Sequence, residues 1–213
     1  MNKVSVIDYD AGNTMSVIKA LDYLGMKVEL TRDPKKLLGS DHIIFPGVGA
    51  YFDCMQKLNE YNLFDTLKQI VDKEIPMLGI CLGMQLLFES SEETIGCSDI
   101  SKKSIEGLGF LKGNITKFSD DYSLKIPHMG WNSINILKPE SSRLFTGIDN
   151  ESYVYFVHSY YLTASNRNEV AATCTYGNTF DAAVESGNLF GCQFHPEKSG
   201  EQGLKILANF CNI

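Results

Sequence analysis

Hydrophobic positions follow two rhythms along the chain. Short apolar runs rich in Val and Ile recur at 3–8, 27–31 and 42–45, each bounded by turn-forming residues. That pattern predicts β-strands. Between the first two runs, Val17, Ile18, Leu21 and Leu24 stand at helical spacing before Gly25 stops them. Arg32-Asp33-Pro34 opens a shorter helical stretch, and 58–74 reads as a helix broken near Tyr61-Asn62, with Leu63, Phe64, Leu67, Ile70 and Val71 on its core stripe. Strand–helix alternation predicts a parallel sheet covered by helices on both faces. From Gly107 onward the rhythm changes to short strands separated by turns, at 113–118, 131–137, 152–157, 170–174, 182–185 and 189–193. This half predicts a mixed or antiparallel extension of the sheet. A last helix over 203–211 would bury Leu204, Leu207, Ala208 and Cys211 on one face. With no internal repeat, linker or low-complexity tract, residues 1–213 read as a single-domain α/β fold.

The run 76–80 delivers Cys81 onto a turn bracketed by Gly79 and Gly83, and Met84-Gln85-Leu86-Leu87-Phe88 reads as the start of a helix. A residue on so sharp a strand-to-helix turn needs small neighbours, because its backbone is strained and other backbone passes close. The free N–H groups of the helix start would face the thiol and favour its thiolate. Buried packing is the bland alternative for a lone cysteine. Downstream, Phe194-His195-Pro196-Glu197 follows another apolar run. A histidine at a strand end can act as general base to a cysteine, with a carboxylate two residues on to orient its imidazole. His158 competes for that role, but no carboxylate adjoins it. Cys81, His195 and Glu197 are therefore the expected triad. His42, within a strand, is read as structural.

Pro46-Gly47-Val48-Gly49 follows the third strand. Its backbone N–H at Val48 or Gly49 would form one half of an oxyanion hole, and the N–H of Leu82 the other. A plain β-to-α turn accounts for the same glycines. Pro127-His128-Met129-Gly130-Trp131-Asn132 gathers the only Trp with a His and a Met; it reads as a partner-binding patch or as ordinary core. The segment 89–93 reads as a solvated helix end, and 94–106, rich in Ser and Lys, as a surface loop.

Composition narrows the function classes. A formal charge of −7 argues against nucleic-acid or anionic-membrane binding. No run approaches the roughly 18 apolar residues of a membrane span, and no signal peptide precedes the first strand. The six cysteines form no C-x-x-C pair, so neither a metal site nor a disulfide framework is expected. A reducing, cytoplasmic compartment suits a thiol nucleophile.

The elbow Gly79-Ile80-Cys81-Leu82-Gly83-Met84-Gln85 and the downstream Phe194-His195-Pro196-Glu197 resemble the two signatures of triad (class I) glutamine amidotransferases. More narrowly, Asp8-Tyr9-Asp10-Ala11-Gly12-Asn13, the 127–132 block, His158-Ser159-Tyr160 and His195-Pro196-Glu197-Lys198-Ser199 are similar to glutaminase subunits of imidazole glycerol phosphate synthases. The 94–106 loop is longer than that pattern calls for. The resemblance implies hydrolysis of L-glutamine through a Cys81 thioester, with Gly47, Gln85, Glu93, Ser159 and Tyr160 as glutamine contacts. It also implies ammonia transfer to a separate (β/α)₈ cyclase subunit in histidine biosynthesis, as a heterodimer and without cofactor or metal. Pro127, His128, Met129, Trp131 and Lys198 would make that contact. Three other readings remain open: a paralogous glutaminase serving amidation of a surface sugar, a stand-alone thiol hydrolase, and a regulatory partner with an inactive site.

Overall fold

The alternating N-terminal half folds as a parallel sheet in the computed structural model, which describes residues 2–99, 101–119 and 124–213. Its elements are β1 (Lys3–Ile7), α1 (Thr14–Tyr23), β2 (Lys27–Thr31), α2 (Pro34–Leu38), β3 (His42–Gly47), α3 (Tyr51–Glu60), α4 (Phe64–Asp72) and β4 (Met77–Cys81). Asp33 caps α2 by accepting the Lys35 N–H at 2.9 Å, with Pro34 in the first turn where its missing N–H costs nothing. After the one-turn helix α5 (Leu82–Gln85) come β5 (Ser90–Ser91), β6 (Ile105–Glu106), β7 (Gly113–Lys117), β8 (His128–Ile136), β9 (Tyr153–His158), β10 (Tyr160–Ala164), β11 (Val170–Tyr176), β12 (Asn178–Ser186), β13 (Leu189–Cys192) and α6 (Gly200–Cys211).

Strands β2, β1, β3, β4 and β13 lie side by side in that order, all parallel. Beyond β13 the sheet turns antiparallel through β12, β10 and β7, while β11, β8 and β9 branch from β12. The period-two alternation of the strands divides the core. Val4, Val6 and Ile44 face one side with Leu21, Leu207 and Phe210, whereas Ile43, Phe45 and Met77 face the other with Leu58 and Leu67. Because β4 and β13 are hydrogen-bonded neighbours, with Ile80 opposite Cys192, the chain that leaves each strand emerges at one edge of the sheet. Sites in such sheets gather at the carboxyl ends of the strands. Among the described residues, no helix is long and apolar enough to cross a membrane.

Besides β6 and β10, which the sequence does not predict, three elements differ from the sequence reading. The helix before the 61–62 break starts at Tyr51, because Tyr51, Cys54 and Leu58 already form its buried stripe. The helix after Cys81 is a single turn, succeeded by looser turns to Phe88. The 89–93 segment is not a helix end: Ser90 and Ser91 join the sheet beside β7, pairing with Asn114 and Ile115.

Candidate active site

Cys81 has φ 54° and ψ −113°, a backbone conformation that a side-chain-bearing residue rarely adopts. Holding it costs on the order of 1–3 kcal/mol, so the surroundings must enforce it. The two bracketing glycines let them do so. A Cβ on Gly79 would lie 2.6 Å from Met84 Cα, and one on Gly83 only 1.8 Å from the Phe45 carbonyl oxygen. The elbow therefore sits flush against β3, which closes the turn. Gly83→Ala is expected to destabilise the fold by about 3 kcal/mol, a large overpacking penalty. Thermal unfolding should then begin roughly 6–12 °C lower, and an unchanged melting temperature would refute this tight contact.

The Cys81 side chain opens into a cavity of about 440 Å³, within the range of small-ligand sites. His195 lines the same cavity. Its Nδ1 lies 2.8 Å from Glu197 Oε1, and both side chains are buried. Because the carboxylate accepts at Nδ1, Nε2 is the nitrogen left for chemistry; it has no hydrogen-bond partner among the described residues. Burial alone would depress the imidazole, but the Cys81 sulfur and the Glu197 carboxylate more than offset it and raise its pKa to about 10. An imidazole so placed is suited to accept a thiol proton. The sequence expectation for Cys81, His195 and Glu197 thus corresponds to one cluster.

His158 does not fit the same role. Its Nδ1 donates to the Tyr160 carbonyl at 2.8 Å, and its Nε2 lies 2.9 Å from His128 Nδ1. With both nitrogens engaged and burial pushing its pKa down to about 3, it is a neutral, structural imidazole. His42 is buried too, edge-on to Phe210, and lies away from the cavity.

Val48, Gly49 and Leu82 all border the cavity beside Cys81. Leu82 is the first residue of α5, where an N–H has no partner within the turn. Gly49 has φ +103°, and the Val48 carbonyl accepts from the Cys54 thiol at 3.7 Å. A trans peptide points its N–H opposite its carbonyl, so the Gly49 N–H faces away from that buried thiol. Gln85, Glu93, Ser159 and Tyr160 line the cavity as well. Burial raises the Glu93 carboxyl, an effect that the Tyr51 backbone N–H at the start of α3 partly opposes. Gly47 is placed elsewhere. It pairs with Cys81 across β3 and β4 and packs on Gly83, lining a small gap behind His195 and Glu197.

Of the residues expected to meet a partner, Met129 and Trp131 are more than half exposed. Trp131 stands edge-on to Tyr155, whose ring lies 5.8 Å from Lys198 Nζ. Pro127 reaches the cavity rim. The His128 side chain is turned inward, at 3% exposure, because alternation along β8 sends it to the opposite face from Met129. It stacks on Phe156 and Tyr176, and burial lowers its pKa to about 4.

The sequence reading passed over Gln193, Lys117 and Ile95. Lys117 and Ile95 border the cavity, while Gln193 donates through Nε2 to the Cys81 sulfur at 3.6 Å. Only Gln193 carried a signal, as a glutamine closing the otherwise apolar run 189–193.

The family described as "Glutamine amidotransferase class-I" matches residues 5–213. "Imidazole glycerol phosphate synthase subunit HisH" of Methanocaldococcus jannaschii is 47% identical over 210 residues, covering 99% of both chains. The subunit of the same name from Bacillus cereus is also 47% identical, covering 99% of this chain and 94% of its own. Among solved structures, PurLQS from Thermotoga maritima superposes with a TM-score of 0.74 at 21% identity, over 100% of this chain and 99% of that one. That likeness concerns the fold alone. Sequence, fold and cysteine elbow agree, and the chain belongs to the class I glutamine amidotransferases.

Proposed function

We propose that this protein is the glutaminase subunit of an imidazole glycerol phosphate synthase, hydrolysing L-glutamine and passing the ammonia to a (β/α)₈ cyclase subunit in histidine biosynthesis. The observation that carries this reading is the 47% identity, across 99% of both chains, to an imidazole glycerol phosphate synthase subunit. The buried Cys81–His195–Glu197 cluster supports it with the chemistry required. No specific observation favours the sugar-amidating paralogue or the stand-alone hydrolase. Residues 1–213 act as one glutaminase unit in this reading, in a reducing cytoplasm that keeps the six cysteines as free thiols.

Glutamine's amide carbonyl enters beside Cys81. His195 Nε2 takes the thiol proton, and the sulfur attacks the carbonyl carbon. Backbone N–H groups of Leu82 and of the Val48–Gly49 turn receive the oxyanion; losing one such donor typically costs about 10²–10³ in rate. His195 then gives its proton to the departing ammonia, while Glu197 holds the ring in register. Water attacks the resulting thioester, releasing glutamate and free Cys81. Glu93 accepts from the α-ammonium group of glutamine, and Gln85, Ser159 and Tyr160 close around its amino-acid end. Both Gln85 amide hydrogens are already donated within the protein, so its Oε1 is the atom left for substrate.

The exposed Met129 and Trp131, with Tyr155 and Lys198 beside them, form the surface that the cyclase covers. Next to the cavity, the Val48–Gly49 peptide is anchored by a single thiol contact, and nothing lies within 4 Å of a Cβ placed on Gly49. A peptide so loosely held samples more than one orientation, which leaves an oxyanion hole idle part of the time. Cyclase carrying its nucleotide substrate selects the competent orientation. A hundredfold activation requires about 2.7 kcal/mol of differential binding. Glutamine turnover should therefore be low for the chain alone, higher with cyclase, and at least about a hundredfold higher with cyclase plus nucleotide. Full turnover by the isolated chain would overturn the coupling and favour a stand-alone hydrolase.

A further inference from the structure

Gln193 is completely buried, and nothing in the mechanism above uses it. It follows β13 directly and precedes His195 by two residues. Its Nε2 lies 3.6 Å from Cys81 Sγ, and its Oε1 accepts from Gln85 Nε2 at 2.9 Å. The direction of these bonds is forced by their far end. Gln85 Nε2 also lies 3.0 Å from the Tyr160 carbonyl oxygen. A backbone carbonyl only accepts, so the Gln85 atom against it must be the NH₂ group. The second hydrogen of that group points to Gln193, which must therefore present Oε1 to it. The Gln193 NH₂ is left facing the sulfur, and a flipped carboxamide would break two hydrogen bonds at once.

The far end is fixed in the same way. The Tyr160 carbonyl accepts from His158 Nδ1, whose Nε2 must then accept from His128 Nδ1 while both rings are neutral. His128 Nε2 in turn accepts from Asn132 Nδ2 at 3.3 Å, and the Ser133 N–H fixes that amide by donating to Asn132 Oδ1. Every donor and acceptor along the path has one possible assignment.

We propose that Gln193 is a catalytic residue that donates its carboxamide N–H to the Cys81 sulfur, stabilising the thiolate, and that the one-way chain through Gln85 and the Tyr160 carbonyl holds it in this sense. A fixed dipole in a dry site stabilises the anion it faces more than it stabilises the neutral thiol. The proton lost by Cys81 still goes to His195 Nε2, so Gln193 adds stabilisation and transfers nothing. The inference rests on Cys81 being the nucleophile of the proposed glutaminase.

Gln193→Met keeps the unbranched shape and removes the donor, and the test is the pH profile of Cys81 alkylation by iodoacetamide, read by mass spectrometry. Tyr9, Cys54, Cys192, His158, His195 and Glu197 surround the cluster in both proteins, so the comparison isolates Gln193. The midpoint of the profile is expected to rise by about one pH unit, equivalent to tenfold less thiolate below the midpoint. Partner-stimulated kcat should fall by about tenfold or more with KM within about threefold, the split expected when an interaction to the reacting atom is lost. Superimposable profiles would overturn this inference alone; no alkylation of Cys81 in the unaltered protein would overturn the nucleophile as well. Should the variant not fold, NMR of the unaltered protein serves. The Gln193 Nε2–H resonance should move with the same midpoint as Cys81 alkylation, and a resonance that stays constant through that range would overturn the inference.

Discussion

Replacing Cys81 with alanine is expected to abolish glutamine hydrolysis while leaving the fold in place. Removing the nucleophile of a triad hydrolase costs up to about 10⁶ in kcat, because the remaining groups only position substrate and polarise its carbonyl. Cys81 is 7% exposed and reaches the cavity through a strained elbow. Alanine at that position retains the Cβ and the backbone contacts of Gly79 and Gly83, so the melting temperature should move little. Turnover is measured with the cyclase and its nucleotide present, the condition in which the proposed coupling makes the unaltered protein fastest. Retention of more than about a hundredth of that rate would place the nucleophile elsewhere.

His195→Ala should lower the stimulated rate by on the order of 10³ or more, because both proton transfers of the proposed mechanism pass through its ring. His158→Ala should cost far less. His158 is as buried as His195, yet both of its nitrogens are spent on the Tyr160 carbonyl and on His128. His195 alone combines a carboxylate at Nδ1 with an Nε2 free of protein partners among the described residues. Steady-state assays of the two variants side by side settle the choice of base. Comparable losses, or a greater loss at His158, would contradict it.

Most strands and the residues of the Cys81–His195–Glu197 cluster were legible in the sequence because both are encoded locally. A glycine-bracketed cysteine after an apolar run and a His-Pro-Glu after another need no tertiary information to be seen. What escaped the sequence depends on contacts between distant segments. The sequence predicts a strand at 152–157 and none directly beyond it, but a second strand starts straight after Ser159. The residues before it pair with β8 and those after it with β7 and β12, so β10 was not anticipated. Glu93 is a solvated carboxylate by local composition, and becomes a cavity residue only because the start of α3 and Tyr160 are folded against it. His128 belongs to a block whose Met129 and Trp131 do reach the surface, but the pleat turns the histidine inward. The helix expected after Cys81 shrinks to one turn.

The most direct measurement is covalent labelling by a glutamine-shaped electrophile, followed by peptide mass spectrometry. Six free cysteines compete for the label, and five of them lie outside the catalytic cavity. Burial raises the Cys54, Cys174 and Cys211 thiols to about 12 and Cys192 well above the ordinary range, which makes all four poor nucleophiles. Cys81 should take the label stoichiometrically, in complex with cyclase and nucleotide, and L-glutamine should protect it. Label on another cysteine, or labelling of Cys81 that glutamine does not slow, would contradict a glutaminase site built on this thiol.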